Sequence, residues 1–217
     1  MRAAPSKRPE LPWFSVKFAE MADPAFRLQV VDRAHADRAS LEHFIAENYE
    51  KAYAAHVTHY ARHLVGLRNA GGAWTAGLGY TPAGRDALFV EQYLDQPAED
   101  VIASILSVPV ERDQIVEVGN LAASAPGAAR HIIAAMTALL NELNRTWVVF
   151  TSTRALLNSF DRLEIATITL ARADPARLPD GGASWGSYYD ADPQVMTANI
   201  PLGFIHLRSR HTGVPRG

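Results

Sequence analysis

The sequence predicts an α/β (α+β) fold, a mixed sheet with helices on both faces. Three observations carry that expectation. The stretch "RASLEHFIAENYEKAYA" sets Leu41, Phe44, Ile45, Tyr49 and Tyr53 at helical spacing with polar residues between them. The runs "HLVGLRN" and "WTAGLGYTP" flank the turn "NAGGA", as the strands of a hairpin do. From residue 115 onward the pattern alternates strand, helix, strand, helix, strand, and such crossovers are what parallel neighbours require.

Each element follows in order. Residues 1–25 read as a flexible N-terminal extension, 26–205 as a single domain and 206–217 as a flexible tail. After the first helix and the hairpin, "ALFVEQYL" reads as a further strand. "PAEDVIASIL" reads as a short helix entered through Pro97, whose missing N–H costs nothing there. A strand at 115–122 leads into a helix ending near Leu143. "WVVFTST" is continuously apolar, as a strand covered on both faces is; "TRALLNSFDRL" is a helix, and "IATITLA" another strand. From Asp174 the chain turns rich in Pro and Gly, and no periodic element is assigned to it.

Composition narrows the class. A chain of 217 residues is long enough for one well-packed domain and short for two. With 21 Lys+Arg against 23 Asp+Glu there is no basic excess to draw nucleic acid. Cysteine is absent, which removes disulfides and thiolate metal sites. The longest apolar run, "IIAAMTALL", is far shorter than the ~20 residues that span a bilayer, and the first residues lack the apolar core of a secretory signal. Interspersed prolines and acidic residues argue against a mitochondrial presequence. The expectation is a cytoplasmic globular protein.

Chemistry concentrates in "IVEVGNLAASAPGAAR". The small residues between strand and helix leave the first helical N–H groups without internal partners, a site suited to phosphate or another anion, and Gly127 can take a positive φ. A loop can equally be small only in order to turn. Alternation along the strand puts Ile115, Glu117, Gly119 and Leu121 on one face. A carboxylate there is either ion-paired or raised in pKa by burial, and the second state suits a general base near neutrality. Glu91 in "FVEQYL" carries the same two readings. His56, His59 and His63 would line one face of a helix as zinc ligands do, although "HVTHYARHLVGL" passes from helix to strand within the stretch, and no metal is assigned. Trp185, Tyr188 and Tyr189 stand in a Gly/Ser/Asp setting, where they either cap the core or wall a pocket. No G-x-S-x-G, G-x-G-x-x-G or P-loop lysine is present.

Together "FVEQYLD", "IVEVGNLAASAPGAAR", "WVVFTSTR" and "WGSYYDADPQVM" resemble the thermostable hemolysin family, over about residues 26–199. That family is similar in fold to the GCN5-related N-acetyltransferases and the acyl-homoserine-lactone synthases. The resemblance implies an acyltransferase-like domain with a largely antiparallel central sheet. It also implies that Asn120, Leu121, Ser124, Gly127, Ala128, Ala129 and Arg130 hold an acyl-phosphopantetheine thioester. Gly127 and Ala129 match the last two positions of the acetyltransferase phosphate motif, while Ser124 replaces its leading Gln or Arg. This departure suits an arm presented by an acyl-carrier protein as well as coenzyme A. No cofactor is held permanently. Glu117 or Glu91 takes the proton from a small, amino-acid-like amine, and Arg154 binds a carboxylate or phosphate or is a plain surface arginine. A membrane-damaging effector and a non-catalytic ligand-binding module are the alternatives.

Overall fold

The structure, a computed structural model, describes residues 26–84, 86–125 and 127–211. The expected extension at 1–25 and the end of the expected tail lie outside these. Among the described residues seven strands form one sheet in the order β1-β2-β3-β4-β5-β7-β6. They are β1 (Phe26–Val31), β2 (His63–Asn69), β3 (Trp74–Pro82), β4 (Ile115–Ala123), β5 (Trp147–Ser152), β6 (Ile168–Arg172) and β7 (Gln194–Asn199). Every pairing is antiparallel except β4 with β5. That parallel step is bridged by a helix, because a short turn cannot return a chain to the same end of a sheet.

Five helices are described: α1 (Arg38–Tyr53), α2 (Ala98–Leu106), α3 (Ala128–Glu142), α4 (Arg154–Leu163) and α5 (Ile200–His211). Ile132, Met136, Leu139 and Leu140 of α3 pack against Val65, Leu78 and Val116 on one face of the sheet. Phe160 and Leu207 extend that layer through α4 and α5 over Phe150 and Met196. On the opposite face Leu41 and Ile45 of α1 cover Leu64 and Ala122, and Ile102 of α2 meets Ile115, Val149 and Val195. The helices on both faces confirm the layered arrangement read from the sequence.

Four elements differ from that reading. "FVEQY" is a 3-10 turn (Phe89–Tyr93), not a strand. The Glu91 carboxylate accepts the N–H groups of Leu88 at 3.0 Å and Ala98 at 3.1 Å, curling the chain around itself. Arg112 closes the arrangement through Nη1 at 2.6 Å and Nη2 at 3.0 Å on Glu91, with Glu99 at 2.8 Å on Nη1. "FRLQVV" forms the edge strand β1, and the Pro-rich C-terminal stretch supplies β7, which inserts between β5 and β6. Helix α5 then carries regular structure through residues 206–211, which the sequence reading gave to a tail.

The segment between β6 and β7 is stapled to the end of α1. The N–H of His56 donates to Ser184 O at 2.7 Å, and that of Ser187 to Tyr53 O at 2.8 Å. Gly186, at φ +52°, lies so close that a Cβ would strike the carbonyl oxygens of Tyr53 and Ala54, the second at 2.7 Å. Backbone on both sides cannot yield as a side chain would. Gly186→Ala is therefore expected to destabilise the protein by more than about 2 kcal/mol. Thermal unfolding measures it; an unchanged Tm would show that the loop is free of α1.

Candidate active site

Strand β4 builds the centre. Val116 joins the α3 side of the sheet and Ile115 the α2 side, so Glu117 emerges on the α2 side, beside the 89–93 turn. Its Oε2 accepts the N–H of Phe89 at 2.6 Å and its Oε1 that of Val90 at 3.1 Å. Among the described residues no cation pairs with Glu117, so the salt-bridge reading of this residue does not hold. Burial raises its pKa to about 7, the two N–H donors oppose that rise, and the nearby Glu91 charge adds to it.

Alternation stops two residues further on. Gly119 pairs with Gly79 and Ala122 with Gly77, so Asn120 and Leu121 together face Leu78, a β-bulge. Asn120 takes φ +54°, and its amide accepts from Ala61 N–H at 2.9 Å and donates to His59 O at 3.0 Å. The expectation that Leu121 shares Glu117's face is corrected by this bulge: Leu121 packs on the α3 side, and Ala122 under α1.

Around Glu117 stands a pocket of about 70 Å³ walled by Phe89, Tyr93, Trp185, Tyr188 and Tyr189, with His59 at its rim. One water needs about 10–15 Å³ on this scale, so the space takes a body the size of a ring. Trp185 and Tyr188 lie 5.5 Å apart, Phe89 and Trp185 5.9 Å, and His59 stacks on Phe89 at 5.9 Å. The hydroxyls of Tyr93 and Tyr189 share a hydrogen bond of 2.6 Å. Burial pushes the Tyr93 and Tyr188 hydroxyls upward in pKa, keeping them protonated at neutral pH.

Beyond Glu117 the sheet opens. Strand β4 pairs with β5 only at Ile115↔Trp147, Val116↔Val148 and Glu117↔Val149, and the two strands then part. The gap leads into an apolar cavity of about 320 Å³ between sheet and helices, lined by Leu121, Ile133, Met136, Phe150, Phe160 and Gly203 among others. Val118, Gly119, Asn120, Thr151 and Tyr188 wall both this cavity and the aromatic pocket, so the two communicate beside Glu117. A groove of about 680 Å³ between α1 and the end of β4 meets the same cavity at Tyr49, Tyr53, Leu121 and Ala123.

The strand–helix loop sits at that groove. Ser124 is exposed and lines it, with its N–H on Thr75 O at 3.0 Å. Gly127 caps α3 at φ +80° with no side chain capping the helix, and the Arg130 guanidinium lies 3.3 Å from where a Cβ on Gly127 would stand. Ala128 is buried, and Ala129 lines the apolar cavity. An open helix N-terminus with an adjacent arginine attracts an anion.

Other expected residues fall elsewhere. Burial raises the Glu91 carboxyl, but Arg112 and the N–H groups of Ala98 and Leu88 outweigh it and hold the pKa below its ordinary value. Its oxygens are occupied in shaping the 89–93 turn, so Glu91 positions Glu117's donors. Arg154 is exposed at the start of α4 and lines none of the cavities above. The histidine stretch leaves helix at Tyr53, so His56, His59 and His63 share no helical face; His63 opens β2 and stacks on Tyr80 at 4.9 Å. Sequence reasoning missed Tyr49 and Tyr53 as cavity walls, together with Phe89, Tyr93 and Gly203. Two tyrosines four apart on an otherwise apolar helix face were the available signal, since buried hydroxyls ask for a partner or a pocket.

A mixed sheet with β4 and β5 parted beside a buried carboxylate, and an uncapped helix following β4, places the chain in a fold class. It is the class of the GCN5-related N-acetyltransferases and the acyl-homoserine-lactone synthases. The chain belongs to the thermostable hemolysin family, whose profile matches residues 31–204. FeeM, an N-acyl amino acid synthase from uncultured soil microbes, superposes with a TM-score of 0.57 at 12% identity, over 82% of this chain and 92% of its own. BjaI, a coenzyme-A-dependent acyl-homoserine lactone synthase solved with SAM and isopentyl-CoA, gives 0.56 at 13% identity over 88% and 91%. A putative N-acetyltransferase from Lactobacillus plantarum gives 0.50 at 12% identity over 81% and 99%. At such identities the likeness concerns the fold. No curated protein matches the sequence.

Proposed function

We propose that the protein is an N-acyltransferase that moves a fatty acyl group from a phosphopantetheine thioester to a small amine. One observation carries this reading. Glu117 stands where an apolar cavity, entered through a parted sheet, meets an aromatic pocket. The acyl chain lies in the cavity of about 320 Å³, the pantetheine arm in the groove along α1, and a phosphate at Gly127 and Arg130. The acceptor enters the aromatic pocket and gives a proton to Glu117. Its neutral nitrogen attacks the thioester carbonyl, a C–N bond forms and the C–S bond breaks, and the thiolate leaves as free thiol by taking the second proton that the nitrogen gives up. A backbone N–H in the parted stretch of β4 steadies the oxyanion.

The neighbours named as an N-acyl amino acid synthase and as a synthase solved with isopentyl-CoA support an acyl thioester donor. Ser124 in the phosphate loop favours neither coenzyme A nor an acyl-carrier protein. Among the described residues no helix is long and apolar enough to cross a membrane. A cytoplasmic location suits the supply of acyl thioesters. An amphiphilic amide product would itself act as a detergent, which accounts for the family's name without any inserted segment.

The test is incubation of purified protein with acyl-coenzyme A and acyl-carrier-protein thioesters of graded length plus an amine panel, read by mass spectrometry. N-acyl amides are expected; hydrolysis alone, or unchanged thioester throughout, overturns the reading. Gly127→Val is expected to raise KM for the thioester about tenfold, since the helix N-terminus is displaced from the phosphate. It should also cost about 1–2 kcal/mol, because a branched residue must adopt φ near +80°. An unchanged KM would put the phosphate elsewhere.

A further inference from the structure

Glu117 faces two spaces of opposite character. On one side is the aromatic pocket, whose lining among the described residues holds neither lysine nor arginine. On the other is a more polar cleft of about 420 Å³ lined by Arg33, Arg62, Asp86 and His59 as well as Glu117. His59, Thr81, Phe89 and Glu117 belong to both, so a molecule held at Glu117 reaches into each. We infer that the acceptor is an α-amino acid with a ring or large apolar side chain, bound with its nitrogen at Glu117, its carboxylate against Arg33 and Arg62, and its side chain in the aromatic pocket.

The charges support this arrangement. Asp86 pairs with Arg62 at 3.4 Å through exposed groups, a weak contact that a second carboxylate can share. Arg33 pairs with no carboxylate among the described residues, so the cleft holds one guanidinium beyond what Asp86 balances. Glu117 answers the amine, and the surplus guanidinium answers the acid, which is the pattern of a zwitterion. Arginine suits the task because its planar fork meets both carboxylate oxygens. An amine without the acid would leave the surplus cation unanswered. Arg154 has no part in this, since it lines none of these spaces.

The inference rests on the acyltransferase reading, and product binding separates the two. N-decanoyl-phenylalanine and N-decanoyl-phenethylamine share the acyl chain, the amide and the ring, and differ only in the carboxylate. Calorimetric titration below their micellar concentrations is expected to show the first binding about tenfold or more tightly, the strength of a hydrogen-bonded charge pair. In Arg33→Ala/Arg62→Ala that ratio is expected to fall toward one. Both arginines are exposed, and thermal unfolding checks that the double variant is folded. Equal affinities in the wild type, or a ratio unmoved by the double variant, overturn the carboxylate assignment while leaving the acyltransferase intact. Failure of both amides to bind would overturn both readings.

Discussion

Glu117→Gln is expected to lower kcat/KM by about 100- to 10,000-fold, the range that loss of a general base covers. The amide keeps the shape of the carboxyl but cannot take the proton of the attacking amine. One of its two heads is a donor, so it satisfies only one of the Phe89 and Val90 N–H groups that Glu117 accepts. That loss is partly offset because no charge need be buried. In the wild type, kcat/KM should rise with pH through about 7 as Glu117 ionises, and the variant should lack that limb. Stability carries the opposite sign. The unfolded carboxyl releases its proton near 4.5, whereas the folded one keeps it until about 7. In that window the folded state binds more protons, so this group's contribution falls as pH rises. Denaturant unfolding at pH 5 and pH 8 should therefore shift the balance toward the variant at the higher pH. Superimposable pH–rate profiles would mean that another group is the base.

Gly203→Leu is expected to shorten the acyl chain that the protein accepts. Gly203 is buried on α5 and lines the apolar cavity. A Cβ there would lie 3.6 Å from Ile165 Cγ2 and from Thr137 Cγ2, an ordinary contact, so the backbone tolerates a side chain. The rest of a leucine must occupy cavity space. Four carbons displace about as many methylenes of a ligand, at ~0.8 kcal/mol each, or about 3 kcal/mol and more than 100-fold for the longest chain accepted by the wild type. Shorter chains should be turned over with little loss. A thioester-length series on both proteins reads the shift directly. An unchanged profile would show that the chain lies outside this cavity.

Much of the site was legible because local rules decide it. The small loop before α3 announces an open helix N-terminus, and a glutamate between Val116 and Val118 announces a carboxylate in trouble. Trp185, Tyr188 and Tyr189 are conspicuous outside any periodic element, and they do wall the pocket beside Glu117. The misreadings have physical causes. Leu88, Val90 and Tyr93 are buried, a pattern that a strand and a tight turn share over so few residues; Arg112, twenty-one positions beyond Glu91, selects the turn. The stretch "PQVMTAN" has little period-two alternation, because its burial comes from both neighbouring strands and both layers. The bulge at Asn120 is invisible to alternation, since it arises where β4 must bend away from β5 and is held by His59 and Ala61.

By itself the sequence determined the elements whose periodicity is strong, the mixed α/β class, and the residue types available for chemistry. Hydrophobic spacing is a local property, and it survives in one dimension. Only the tertiary structure decided what Glu117 is. Its two N–H donors come from a turn twenty-seven and twenty-eight residues earlier, and its aromatic walls from a loop about seventy residues later. The same holds for Glu91, a near-identical side chain on an equally apolar background. Arg112 ion-pairs it and lowers its pKa, while Glu117 is buried against backbone donors and raised. The pKa of a carboxyl depends on solvation and on charges within a few ångströms, and sequence distance carries neither.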